Sequence, residues 1–169
     1  MNIFVLSRDI EECAQFHCDK HMKMVLESAQ LLSTAVRART QALGIDVPNK
    51  DAVGGLYRIN HLNHPSSVWA RQTRENFLWL CSLGEALYRE YTHRYSKRHA
   101  SQTIIERAKE YAQYIPQGPL TPFAQAMPDK YKHEDAVIAY RNYYNGDKQH
   151  LLKWTNRPVP YWVEKKEIK

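Results

Sequence analysis

The chain has 169 residues, 43% of them hydrophobic and 25% charged, with a formal net charge of +6 and a pI near 9.2. This composition fits a single globular domain over 1–169, large enough to bury a core without metal or disulfide staples, and it excludes a disordered chain. No apolar run approaches the roughly 20 residues that span a bilayer, and three cysteines without a secretion signal argue for reduced thiols rather than a disulfide framework.

Residues 2–6 (Asn-Ile-Phe-Val-Leu) read as a short buried strand or extended segment. Asp9 with Glu12 has the spacing of a capping box. The pattern predicts a helix from about residue 10 to Leu43, stopped by Gly44, with Ile10, Cys13, Ala14, Val25, Ala29, Leu32 and Val36 at helical spacing. Residues 44–65 contain Pro48, Gly54, Gly55 and Pro65 and form a long connection, a length often tied to function. A second long helix is predicted over 66–95, with Trp69, Thr73, Phe77, Leu80, Leu83, Leu87 and Tyr91 as its buried stripe. Further helices fit 102–114 and 134–145, separated by a proline-rich loop over 116–128. A short piece near 147–153 precedes the Pro158-Val159-Pro160 tail. The expected fold is mainly α: a compact helical bundle with two long helices and a short N-terminal extended segment.

Four groups of residues have the chemistry of a site. On the first helix, His17, Asp19, Lys20 and His21 lie close together, the two histidines four residues apart on one expected face, with Lys23 and Glu27 further along. At the mouth of the second long helix, Asn63, His64 and Ser66 surround a helix start whose free N–H groups attract anions. Arg71 and Arg74 follow from one turn beyond that helix start and have the fork geometry for phosphate. Tyr140, Arg141 and Tyr144, with Tyr143, suggest a platform for stacking bases. His17, His21, His61 and His64 also allow a His-ligated metal site. There is no P-loop, GxSxG, dinucleotide fingerprint or HExxH, which leaves kinase, serine-hydrolase and Rossmann readings without support.

The order of Cys13-Ala14-Gln15-Phe16-His17, Asn63-His64 before a long helix, and Tyr140-Arg141-Asn142-Tyr143-Tyr144-Asn145-Gly146 resembles the phage pyrimidine-dimer DNA glycosylases of the endonuclease V type. The Cys18-Asp19-Lys20-His21 stretch is also similar to that of uncharacterised phage proteins. The resemblance implies an enzyme that needs no cofactor and acts on DNA in the cytoplasm of a bacterial host cell, with or without abasic-site lyase activity. Its nucleophile would be the amine of Asn2 after loss of Met1, with Asp19 or Glu27 as the carboxylate and Lys20 or Lys23 toward phosphate. The alternatives are a non-catalytic nucleotide or nucleic-acid binder on the same scaffold, such as a viral nucleotide-sequestering protein, and a His-ligated metal-dependent enzyme. Retention of Met1 would move the amine by one residue and favour the binder.

Overall fold

The computed structural model describes residues 1–164. Its α-helices are α1 (Ile10–Phe16), α2 (Met24–Ala42), α3 (Pro65–Gln72), α4 (Arg74–Tyr95), α5 (Gln102–Lys109) and α6 (Ala136–Asn145). Helix α2 packs against α3, α4 and α5, and α1 packs against α4. The chain is therefore mainly α, as expected, but both long predicted helices are broken.

The first break falls at His17 and Cys18, where the backbone becomes extended before a 3-10 turn over Asp19–Lys23 leads into α2. The N–H groups freed by the break find partners from distant sequence. Cys18 N–H donates to the Tyr144 hydroxyl (3.3 Å) and Asp19 N–H to the Lys153 carbonyl (2.8 Å). The second break is at Thr73, whose hydroxyl accepts from Asn76 N–H (3.1 Å), while Arg74 N–H reaches the Pro116 carbonyl (2.7 Å). At both places tertiary partners replace helical bonds, so local periodicity does not reveal the interruption.

Several local signals act as expected. Asp9 caps α1 by accepting from Glu12 N–H (2.8 Å), although Glu12 turns its carboxylate to the Ser7 hydroxyl (2.9 Å) instead of completing the box. Gly44 takes a left-handed conformation (φ 70°) and closes α2. Pro65 opens α3 with His64 as its cap. The predicted 102–114 helix ends at Lys109 and resumes as a 3-10 turn at Ala112–Tyr114. A 3-10 turn at Gln149–Leu151 lies within the expected 147–153 piece.

Among the described residues there is no strand, only an isolated bridge between Asn49 and Leu56. Residues 2–7 instead thread through the core as a buried extended segment. Side chains satisfy its backbone: Ile3 N–H donates to Asn2 Oδ1 (2.8 Å), and Leu6 O accepts from Arg141 Nε (2.9 Å). Around it lie Leu31, Leu32, Leu80, Leu87, Tyr140 and Tyr144, all fully buried. Burial of each aliphatic side chain contributes about 1.5–3 kcal/mol.

The C-terminal stretch is tied down by charge. Arg94 is buried, donating to Glu90 (2.8 Å), Asp19 (3.1 Å) and the Gln15 carbonyl (3.0 Å), and Arg157 closes a fork on Glu90. Truncating Arg94 leaves Glu90 buried without one of its counter-charges. Arg94→Ala should therefore lose about 3 kcal/mol or more in urea denaturation; a loss below about 1 kcal/mol, the range of exposed pairs, would contradict this reading of the network.

Candidate functional site

The first residue ends beside α2. The Met1 amine lies 3.4 Å from Glu27 Oε1, and the other oxygen of that carboxylate, Oε2, is buried without a hydrogen-bond partner. Asn2 fixes this position. Its Nδ2 donates to the Ala126 carbonyl (2.9 Å), and its Oδ1 lies 2.9 Å from the Tyr140 hydroxyl. Asn2, which the sequence-based expectation gives the amine after loss of Met1, is a buried anchor, and with Met1 in place the amine beside Glu27 is that of Met1.

His64 faces the same place. Burial lowers its pKa first, the Met1 amine and His61 lower it further, and Glu27 acts in the opposite sense. Its Nδ1 accepts from Ser66 N–H (3.0 Å), which makes it the cap of α3. Ser66 is buried and its hydroxyl lacks a partner; Asn63 is exposed one residue before the cap.

Lys23, the last residue before α2, is followed at helical spacing by Glu27 and Gln30 on α2 itself. Below Glu27, a small pocket of about 160 Å³ is lined by Met1, Phe4, His21, Lys23, Tyr143 and Lys148 among others. Above it, a groove of about 550 Å³ runs past Leu26 and Gln30 to Lys50, Tyr57, Arg58 and Asn60. The groove wall is part of the long 44–65 connection. Arg37 staples it by donating to the carbonyls of Val47, Pro48, Leu56 and Tyr57 at 2.6–2.9 Å. Gly55 is required there, because a Cβ would collide with the Asn49 backbone.

His21 is 2% exposed, stacked on Phe4 with centroids 4.2 Å apart, and its Nδ1 lies 2.6 Å from the Tyr144 hydroxyl. Burial pushes its pKa down to about 3, helped by His17, Lys148, Lys23 and the Met1 amine. His17 is fully buried, bonded through Nδ1–H to the Cys13 carbonyl (2.7 Å), and burial lowers its pKa to about 4. The expected shared face of His17 and His21 does not exist, because the helix breaks between them. His17 is a core residue.

Other expected site residues serve the fold. Asp19 does not approach the amine. It accepts from the Thr155 N–H (3.0 Å) and hydroxyl (2.6 Å) and from Arg94, and the Thr155 bonds and Arg94 outweigh partial burial to hold its carboxyl below the usual range. Arg74 holds the carbonyls of Ala112 (3.1 Å), Gln113 (2.9 Å) and Ile115 (3.2 Å), and Arg71 that of Leu62 (2.7 Å). Tyr140 and Tyr144 are fully buried, which rules out the expected stacking platform. Arg141 is held against Phe16, Tyr161 and Trp162 at 5.3–5.6 Å. Lys20 is exposed. No set of three or more His, Cys, Asp or Glu among the described residues is arranged to hold a metal, so the four-histidine grouping is not formed. The groove residues Lys50 and Arg58 escaped the sequence reading, where only the length of the 44–65 connection pointed toward them; Met1 entered only as the alternative holder of the amine, and Lys148 had no role.

An amine beside a carboxylate can condense with an aldehyde, the carboxylate handling protons. No helix among the described residues is long and apolar enough to cross a membrane. No family model, curated protein or solved structure matches the chain.

The buried histidines set a pH dependence. Each is protonated in the unfolded chain below about 6.5, whereas in the fold His17 stays neutral down to about 4 and His21 down to about 3. Their contribution is complete above the unfolded value and is lost as pH falls, at a slope approaching about 2.7 kcal/mol per pH unit for the pair. Urea midpoints should fall between pH 7 and pH 5, and His17→Phe should make that fall shallower. Equal midpoints at both pH values would contradict the burial of neutral imidazoles.

Proposed function

We propose that this protein is a DNA-base-acting glycosylase, with abasic-site lyase activity, whose nucleophile is the Met1 amine and whose acid/base group is Glu27; the meeting of that amine with Glu27 favours the enzyme over the binder that retention of Met1 by itself suggests. The observation that carries the reading is the 3.4 Å approach of Met1 N to Glu27, whose second oxygen is buried and free to accept a further hydrogen bond. The net charge of +6, and Lys50 and Arg58 against the single carboxylate Asp51 in the groove, support a polyanionic substrate. The resemblance in layout to the phage glycosylases supports the same chemistry.

In this mechanism the neutral amine attacks C1′ of the target nucleotide. The C1′–N bond to the base breaks, and the base departs with a proton. Protonation of the ring oxygen and opening of the sugar give an imine between Met1 and C1′. Water then releases the amine and leaves an abasic site, or loss of a C2′ proton expels the 3′-phosphate. Glu27 receives the amine proton as attack proceeds and stabilises positive charge developing on the sugar. An α-amine suits this step because its ordinary pKa of about 8 lies below that of lysine, about 10.4.

Borohydride should trap a covalent adduct with abasic DNA, and peptide mass analysis should place it on Met1. Glu27→Gln should slow turnover about 10²-fold or more. Absence of an adduct on abasic DNA, together with absence of base release from damaged duplexes, would leave a non-catalytic binder as the better account.

A further inference from the structure

The small pocket below Glu27 has a chemistry distinct from that of the amine and carboxylate. Lys23 and Lys148 line it together with Met1, and no carboxylate is among its lining residues. The Lys148 ammonium lies 5.0 Å from the centre of the Tyr143 ring, which holds it at this pocket.

His21 supplies a directional donor. The Tyr144 hydroxyl accepts from Cys18 N–H (3.3 Å), and its own proton has His21 Nδ1, at 2.6 Å, as acceptor. Burial drives the Tyr144 pKa well up, so this hydroxyl keeps its proton. Nδ1 therefore accepts, and the neutral imidazole carries its hydrogen on Nε2. Among the described residues Nε2 has no hydrogen-bond partner, and His21 lines the pocket. The Phe4 ring stacked on the imidazole fixes the direction of that N–H. A fixed neutral donor and flanking ammonium groups, in a space of about 160 Å³, match a tetrahedral oxyanion.

We infer that this pocket is a phosphate site, formed by His21 Nε2–H, Lys23 and Lys148, which takes the phosphodiester next to the sugar that the Met1 amine attacks. The placement of the sugar rests on the proposed glycosylase reading; the anion chemistry of the pocket does not. A bound phosphate here would hold the strand against α2 so that the neighbouring sugar meets Met1 and Glu27, while the rest of the nucleotide extends toward the larger groove.

Two probes test the site in the full chain. Inorganic phosphate, titrated while the imidazole nitrogens are followed by NMR, should shift the His21 Nε2 signal saturably, and the Lys23→Gln/Lys148→Gln double variant should abolish the shift. A duplex carrying a tetrahydrofuran abasic analogue, which has neither a base nor an aldehyde, should bind the double variant about tenfold more weakly. The slope of log affinity against log salt should become shallower by about one, the value for one lost phosphate contact. Both lysines project from surface segments, so the variant keeps its fold, as its urea midpoint will verify. No shift with phosphate would overturn the site. A shift with unchanged duplex affinity and slope would overturn its assignment to a nucleic-acid strand and leave free phosphate as its ligand. Borohydride trapping is read separately: an adduct with an unchanged salt slope rejects the pocket alone, and a changed slope without an adduct rejects the amine chemistry alone.

Discussion

Arg94 holds together three parts of the chain that are distant in sequence. Its guanidinium, fully buried on α4, reaches Glu90 on its own helix, the Gln15 carbonyl at the end of α1 and Asp19 at the start of the 3-10 turn. Asp19 in turn accepts from Thr155, and Arg157 forks onto Glu90, so the C-terminal stretch is fixed to the same centre. A buried charge of this kind is costly unless every donor is matched, and here the guanidinium has two carboxylates and a carbonyl. The consequence is the interruption between α1 and α2. Were residues 10–43 one straight helix, His21 would not turn inward onto Phe4, and α2 would begin elsewhere relative to the N-terminal segment.

The candidate site follows from that interruption. The buried segment 2–7 crosses the core and ends with Met1 at Glu27, and Asn2 locks the approach through Ala126 and Tyr140. The turn places Lys23 and His21 on one side of Glu27, and α2 carries Gln30 to the groove on the other. His64 joins from the start of α3. Charges that look scattered in sequence are thus sorted by the fold. Arg71, Arg74, Arg94 and Arg141 hold backbone or core partners, while Lys23, Lys50, Arg58 and Lys148 line open cavities.

Much of the fold was legible in the sequence because its signals are local. Asp9, Gly44 and Pro65 mark helix ends through their own backbone chemistry, and the apolar spacing locates α2 and α4. The breaks at His17 and Thr73 were not legible, since their compensating partners (Tyr144, Lys153, Pro116) lie 43 to 136 positions away or are set only by tertiary packing. The N-terminal run has strand composition but no partner strand, and side-chain bonds take the place of a ladder. At the site, Glu27, Lys23, His21 and His64 were named from sequence. The tyrosines misled because an amphipathic side chain suits a base platform and a core equally, and only packing distinguishes them. Met1 and Lys148 had no motif to mark them.

The central claim is that the Met1 amine and Glu27 meet a nucleic-acid sugar. The most direct measurement is a crystal structure of the protein bound to a duplex with a tetrahydrofuran abasic analogue. The account predicts the analogue's C1′ position within about 3.5 Å of Met1 N, the distance of a near-attack geometry, with Glu27 still beside the amine. A duplex bound on another face, or a sugar remote from Met1, would contradict it.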